Sequence, residues 1–426
     1  MRVLFLTTEF VWPPIGGGRL GSLSQLQALS SLPEVEQIRF FSIYETEVTP
    51  EDRDGLMRAV PKLEMIEPVF HPIHLFRYPR YVPRVAWLRA VRGIPYVVGK
   101  WDSPTVRAAL ERELMERDFD VVWLDGLGIA HYLPLVRTFQ PDARVVLRQF
   151  NIESDRFAQF ARHQRGLKRL IAEQEWHAAR RYERDTLRAV DAVGVVSDDD
   201  VTACRQLAAV EALNVPHLVP FTRRAAPLTQ GPRFCWVGNL TWESNVRGLD
   251  WFCAEVWPRI RERLPEAVFE IAGSGLQTDS HGTVVAPAAW RRPGIATLGF
   301  VDDVAALYER SSAMVAPILG GTGIRVKLLE AFRHGVPVVT TPDGAAGLPV
   351  EAGREAFVEA EAGAFADRAV ELATSPAARD RLREAGYAFL ERHNGLAEVQ
   401  AVIRALLGST STPDHTTNLQ TAGATF

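Results

Sequence analysis

Short apolar, β-branched runs alternate with segments of helical period along most of this chain, and the alternation occurs in two successive series. Parallel strands can be joined only through a crossover, and helices in the crossovers cover both faces of the sheet. The pattern therefore predicts strand-helix-strand units around parallel sheets. In the first series the runs at 3–8, 38–44, 120–124, 144–149, 192–197 and 217–220 are expected to be strands. In the second they fall at 234–237, 268–272, 295–299, 313–317 and 336–340, followed by helical patterns at 363–374, 377–393 and 396–407. Between the series, at 223–232, apolar periodicity stops and Pro and Gly bracket a polar stretch, which predicts an interdomain linker. The expected architecture is α/β, with two doubly wound parallel-sheet domains over 1–222 and 233–408 in tandem. The Ser/Thr-rich residues 409–426 carry no apolar period and are expected to be a disordered tail. Open sheets of this type bind ligands at the carboxyl ends of their strands, so the two halves are expected to face one cleft.

A chain of 426 residues has room for two domains at roughly 150 residues each. The formal charge of -4 excludes the strong global attraction that nucleic-acid binders use. Cys204, Cys235 and Cys253 lie far apart, without zinc-ligand spacing, which fits a reducing cytoplasm. Glu9 and Pro13 interrupt the apolar N-terminus, which reads as a first strand rather than a leader. No run reaches the ~20 apolar residues of a membrane span, so any contact with the inner face of a membrane would be peripheral. Residues 61–104, rich in Pro and aromatics, read as a surface excursion with short helices. From 155 to 189 the pattern is a long polar helix or helix pair. Its excess of Arg and Lys is either a solvated face or a weakly basic surface for an anionic acceptor or lipid headgroups.

The chemistry concentrates in residues 316–341. A buried strand ends near Pro317, a glycine loop (Gly320, Gly321, Gly323) follows, and a helix is expected from about Ile324 to His334, capped by Gly335. Glycines let the backbone approach a ligand closely. The N–H groups of Gly323, Ile324 and Arg325 are expected to point out of the positive end of the helix, which makes an anion site. Arg325 and Lys327 stand in the first turn, where the helix dipole disfavours cations, so a dianion is expected between them. Glu330, one turn deeper, is placed to accept two sugar hydroxyls.

This stretch resembles the donor domain of the GT-B glycosyltransferases of glycosyltransferase family 4. Glu330 with Ala331, Gly335, Pro337, Val338, Val339 and Thr341 matches the second half of that family's Glu-x7-Glu segment and the Gly-x-Pro-Val-Val-x-Thr after it. The first glutamate position is Thr322, a departure shared by a branch whose loop reads Gly-Gly-Thr-Gly followed by Arg and Lys. The resemblance extends to Gly238 and the strand before it, to the Gly273 turn, and to the loop at Phe300 and Val301, whose backbone would meet the nucleotide base. The family's diphosphate-binding Arg and Lys positions are here Asn239 and Asn245, which shifts that role to Arg325 and Lys327, with Arg247 a weaker candidate. In the first half, Gly16, Gly17 and Gly18 resemble the glycine loop facing the diphosphate and acceptor. Residues 149–154 resemble a His-Asn-x-Glu element whose histidine is Phe150, leaving Asn151 and Glu153 as cleft-facing candidates.

The resemblance implies two tandem Rossmann-like domains in the GT-B arrangement. It further implies transfer of a sugar, with retention of configuration, from a nucleotide-diphosphate sugar to a glycan, lipid-linked or small-molecule acceptor. The implied catalytic residues are Arg325, Lys327 and Glu330. Donor contacts fall on Gly238, Asn239, Gly273, Phe300, Val301, Gly320, Gly321, Thr322, Gly323 and Ile324. No cofactor and no metal is implied; Asp198 to Asp200 follow a strand and read as a helix cap. Three other readings stay open. One is a degenerate nucleotide-sugar-binding protein, suggested by Thr322 and Phe150, and another is a nucleotide-sugar epimerase. The third is an NAD(P)-dependent oxidoreductase, suggested by Gly16-x-Gly18-x-x-Gly21, although seven residues separate those glycines from the first strand.

Overall fold

The computed structural model describes residues 1–408 except 46, 75–76, 224–230, 279–283, 302 and 321–323, with the side chain of His163 also left out. The first series folds into an eight-stranded sheet. Its strands are β1 (Arg2–Thr7), β2 (Gln37–Tyr44), β3 (Leu63–Met65), β4 (Val69–Phe70), β5 (Val121–Asp125), β6 (Arg144–Arg148), β7 (Ala192–Val195) and β8 (Ala212–Asn214). The order is β3-β2-β1-β5-β6-β7-β8, with β4 paired to the end of β2, and every pairing is parallel. The second series forms a six-stranded sheet from β9 (Arg233–Asn239), β10 (Val268–Ser274), β11 (Ile295–Gly299), β12 (Ala313–Ala316), β13 (Val338–Thr340) and β14 (Phe357–Val358). Its order is β11-β10-β9-β12-β13-β14, again all parallel. Strand order reverses beside β1 and beside β9, the two crevices where doubly wound sheets hold ligands.

Each sheet is buried on both faces, which explains why its strands read as continuous apolar runs. Along β1, Leu4 and Leu6 enter one core while Val3 and Phe5 enter the other. Along β9, Phe234 and Trp236 point one way and Cys235 the other. Three expectations need correction. The run at 217–220 is not a strand. Pro216 and Pro220 bring no N–H to a ladder, the eighth strand forms earlier at β8, and the segment instead runs extended beside Asn394. There Val219 N donates to the Asn394 carbonyl at 3.1 Å, and Asn394 Nδ2 donates to the His217 carbonyl at 2.8 Å.

The helix Leu396–Leu407, grouped with the second domain by sequence, packs on the first sheet. Val399, Ile403, Leu406 and Leu407 join the core that holds Val3, Phe5 and Trp123. Arg404 pairs with Glu34 at 2.7 Å, and Arg144 Nε donates to the Leu406 carbonyl at 2.6 Å. An amphipathic stripe records only that a helix buries one face, and the chain chooses which core receives it.

The polar stretch after β6 is a helix pair, Glu153–His163 and Gly166–Ala189, with Gly166 at φ 58° in the turn. Ser197, not the aspartates, caps the next helix by accepting from Asp200 N at 3.2 Å, while Asp198, Asp199 and Asp200 fill its first turn.

Candidate functional site

Most of the candidate residues on the second sheet gather at the carboxyl ends of its strands. The helix after β12 starts at Val326 rather than Ile324 and runs to Arg333, with Arg325 in the N-cap position. The leading N–H groups at its positive end are therefore those of Val326 and Lys327, since Leu328 N already donates to the Arg325 carbonyl at 2.8 Å. Arg325 folds back over the loop, donating from Nε to the Asp343 carbonyl (3.1 Å) and from Nη2 to the Gly320 carbonyl (3.2 Å). The Asp343 carboxylate in turn accepts from Gly320 N at 2.7 Å. Asp343 thus braces the loop from the turn after β13, a role that no glycine or charge pattern announces. Gly320 sits at φ 81°, a backbone state natural to glycine. Gly321, Thr322 and Gly323 lie outside the described residues.

Lys327 is half-buried, and its Nζ donates to Asn245 Oδ1 at 3.0 Å while resting 4.4 Å from the centroid of the Trp236 ring. It forms no ion pair with a carboxylate among the described residues. Burial, and then the nearby Arg325 charge, pushes the ammonium down to about 7. Burial also lowers Arg325, with Asp343 opposing. Asn245 holds its place through Nδ2, which donates to the Asn239 carbonyl at 2.7 Å. The Lys327 ammonium therefore lies against Asn245, one of the two positions where the resemblance led us to expect a diphosphate-binding cation. Gly238 makes the room: a Cβ there would stand 3.0 Å from Lys327 Nζ and 2.9 Å from the Trp236 ring.

Asn239 differs from expectation. Its Oδ1 accepts from both N (2.8 Å) and Oγ1 (2.7 Å) of Thr241, so the side chain closes the turn after β9 and only its carbonyl serves the lysine's support. Gly273 permits contact between strand backbones, since a Cβ would fall 1.8 Å from the Gly238 carbonyl oxygen. Phe300, at the end of β11, is 54% exposed and presents its ring to solvent, whereas Val301 and Ile324 are half-buried against the core. Glu330 lies one turn beyond Lys327, 3.5 Å from Arg333 Nη1 and 3.9 Å from His334 Nε2. Burial raises its carboxyl, and Arg333 partly opposes.

The first sheet brings its own glycine loop to the same place. Gly16, at φ 89°, precedes the helix Gly17–Ser31, and a Cβ on Gly17 would come 3.4 Å from Val326 Cγ2. The amino ends of two helices, one from each sheet, therefore meet. Gly18 backs onto Glu9, which pairs with Arg19 at 3.2 Å. Gly21 has a packing reason, because a Cβ would stand 2.6 Å from His217 Nε2 and 2.8 Å from Arg148 Nη2. Arg148 and Asp125 form a fully buried pair at 3.0 Å, and Phe150 lies 4.7 Å beneath the guanidinium.

Asn151 is half-buried in the turn that follows β6, and Glu153 opens the next helix. Glu153 pairs with Arg156 at 3.0 Å, and burial raises its carboxyl. Glu183, which the sequence did not single out, accepts from Glu153 N (2.8 Å) and Ser154 N (3.0 Å), satisfying the start of that helix. Burial pushes Glu183 up to about 7. Among the described residues no group of three His, Cys, Asp or Glu is placed to hold a metal, and no helix is long and apolar enough to cross a membrane.

Over residues 231–375, which span all of β9 to β14 and the Arg325, Lys327 and Glu330 segment, the chain matches the family model described as Glycosyl transferases group 1. Several solved structures superpose over nearly the whole chain. Anabaena HepE in complex with UDP and glucose covers 96% of this chain and 100% of its own, with a TM-score of 0.63 at 13% identity. S. aureus TarM, in complex with fondaparinux, alpha-GlcNAc-glycerol and UDP, covers the same shares with a TM-score of 0.67 at 10% identity. The fold is GT-B. Sucrose-phosphate synthase from Thermosynechococcus elongatus shares this GT-B arrangement, with a TM-score of 0.58 at 13% identity over 95% of this chain and 98% of its own. A Klebsiella pneumoniae protein described as an uncharacterized 44.6 kDa protein in cps region is 20% identical over 92% of this chain and 96% of its own length. Within the GT-B frame, the meeting point of Gly17 and Val326 lies between the two sheets.

Proposed function

We propose that this protein is a glycosyltransferase that moves a sugar from a nucleotide-diphosphate sugar to a hydroxyl acceptor, with retention of configuration and without a metal. The observation that carries the reading is Lys327: an ammonium short of water, held by Asn245 and Trp236 beside Arg325, at the point where two helix amino ends converge. Such a place is poor for a lone cation and good for a diphosphate. As the anomeric C–O bond breaks, negative charge builds on the leaving phosphate. Lys327, Arg325 and the N–H groups of Val326 and Lys327 at the helix start are preorganised to receive it. Losing one such donor costs ~10²- to 10³-fold in rate.

Glu330 accepts the ribose hydroxyls in this reading, and Arg333, whose Nη1 donates to it at 3.5 Å, partly neutralises it when the site is empty. The Phe300 ring and the Val301 backbone flank the base. Gly321, Thr322 and Gly323 complete the phosphate and sugar contacts. Gly16 to Gly18, Asn151 and Glu153 face the acceptor. The acceptor oxygen attacks from the face that the phosphate leaves, and the phosphate takes its proton, so no protein nucleophile is needed.

Because HepE and TarM were captured with UDP, UDP-sugars come first in a thermal-shift panel that also holds GDP-, ADP- and dTDP-sugars and NADH. A nucleotide-sugar at about 100 times its Kd adds ~2.7 kcal/mol to the native state and raises the unfolding midpoint. A shift with NADH alone would overturn the reading. Donor binding without donor hydrolysis or transfer to any acceptor pool would favour the degenerate binding protein.

A further inference from the structure

Two neighbouring segments of the first domain carry a surface that the proposed chemistry does not use. On the helix pair after β6, Phe160, Leu167, Leu170 and Ile171 are each more than half exposed, and the last three share one face at i, i+3, i+4 spacing. The helix Val82–Arg92 adds Trp87 and Val91, equally exposed. Arg89 ties the two together, donating from Nε to Glu175 (3.0 Å) and from Nη2 to the Gln174 carbonyl (2.9 Å), one turn beyond Ile171.

The charge around these side chains is mostly positive, with Glu173 and Glu175 taken up by Arg169 and Arg89. Residues 80–92 hold Arg80, Arg84, Arg89 and Arg92 and no acid, and residues 156–171 hold Arg156, Arg162, Arg165, Lys168 and Arg169 and no acid, in a chain whose net charge is -4. Arg162, Arg165 and Lys168 form no ion pair with a carboxylate among the described residues. We infer that this face docks on an anionic phospholipid bilayer, with Leu167, Leu170, Ile171 and Phe160 entering the headgroup layer and the surrounding cations meeting lipid phosphates. Aliphatic side chains inside a cationic ring suit a bilayer interface better than nucleic acid, which would be met by stacking aromatics.

The helix Glu153–His163 starts at Glu153, which the proposed function turns toward the acceptor, and carries Phe160 seven residues on, so at 1.5 Å per residue the headgroup layer would lie about 10 Å along it from the acceptor side of the cleft. An acceptor carried on a lipid would then arrive within reach.

The test is co-sedimentation of the full chain with vesicles of phosphatidylcholine containing phosphatidylglycerol, against phosphatidylcholine alone. It is run at roughly 0.1 M and 1 M salt, where the Debye length falls from about 10 to 3 Å. Binding is expected to the anionic vesicles, weakened by salt, and at least about tenfold weaker to the neutral ones. Replacing Arg162, Arg165 and Lys168 by Gln is expected to cost about fivefold each and roughly 10²-fold together. Replacing Leu167, Leu170 and Ile171 by Ser is expected to abolish the salt-resistant fraction. Circular dichroism checks that both variants fold, and the Gln variant, altered only at its surface, decides if the Ser variant does not.

Absence of sedimentation overturns the proposal, and so does binding indifferent to the Gln variant. So too does a dimer that the Ser substitutions dissociate in a chain that ignores vesicles, or capture of short RNA in their place. Vesicle binding needs no donor and donor binding needs no vesicle, so this proposal and the transferase reading fail separately.

Discussion

A lysine ammonium that faces an indole ring, an amide oxygen and a nearby guanidinium has given up water without gaining a countercharge, and either the loss of its proton or an incoming anion relieves it. Lys327 is in that position. Replacing it with Met is expected to leave the fold intact and cut transfer by at least ~10²-fold, measured as turnover of a folded variant. A pH dependence follows from the same strain. Free Lys327 titrates at about 7, and a bound diphosphate raises that value again, so donor binding takes up a proton. Affinity for the nucleotide-sugar is then greatest below pH 7 and falls by up to about tenfold per pH unit as pH rises from 7 toward the bound-state value. Calorimetry in buffers of different ionisation enthalpy reads the proton uptake directly, and a flat profile would remove Lys327 from the site. For Glu330→Gln, weaker donor binding by about tenfold is expected from the lost charge-assisted hydrogen bonds, and an unchanged Kd would count against its ribose role.

The helices and strands around the lysine meet at glycines, where backbone must touch backbone. Gly248, in the helix Glu243–Trp251, is the tightest of these: a Cβ there would lie 1.4 Å from the Pro317 carbonyl oxygen, at the end of β12. Gly248→Ala must push that helix away from the loop entered by Arg325. A loss of about 1–3 kcal/mol is expected, together with weaker donor binding because Asn245 rides on the same helix. Chemical denaturation and donor titration on one preparation check both, and wild-type values in each would mean that the helix yields freely. Arg325, Lys327 and Glu330 were legible because local spacing alone brings them to one helix. Asp343, Trp236 and Glu183 were not, since each reaches the site from an element distant in sequence, and an isolated acid or tryptophan looks like any other.

The two sheets are connected twice, by the passage through Val219 and by the return at Asn394, and these segments are hydrogen-bonded side by side. The chain's last described helix, Leu396–Leu407, then closes the core of the first sheet. Truncating one of its buried residues, as in Leu406→Ala, should therefore destabilise the first domain by about 2–5 kcal/mol while leaving the donor side of the second folded. Calorimetric scans resolved into two transitions would show the drop in the first-sheet transition alone. A shift confined to the second would contradict the packing. At this scale the cleft exists because both sheets turn their carboxyl edges toward each other, bringing Gly17 to Val326.

The sequence by itself determined the two parallel-sheet series, the ten longer or central strands among the fourteen described, and the placing of Arg325, Lys327 and Glu330 on one helix. Apolar period, glycine position and helix-end charge are local signals that survive without a fold. What the tertiary structure decided is how those parts are completed. Lys327 takes up the place at Asn245 from another element, Asn239 turns away into its own loop, residues 217–220 become a crossing instead of a strand, and the final helix returns to the first core. Each depends on which surfaces meet across dozens or hundreds of residues, and contact at that range leaves no periodicity in the chain to read.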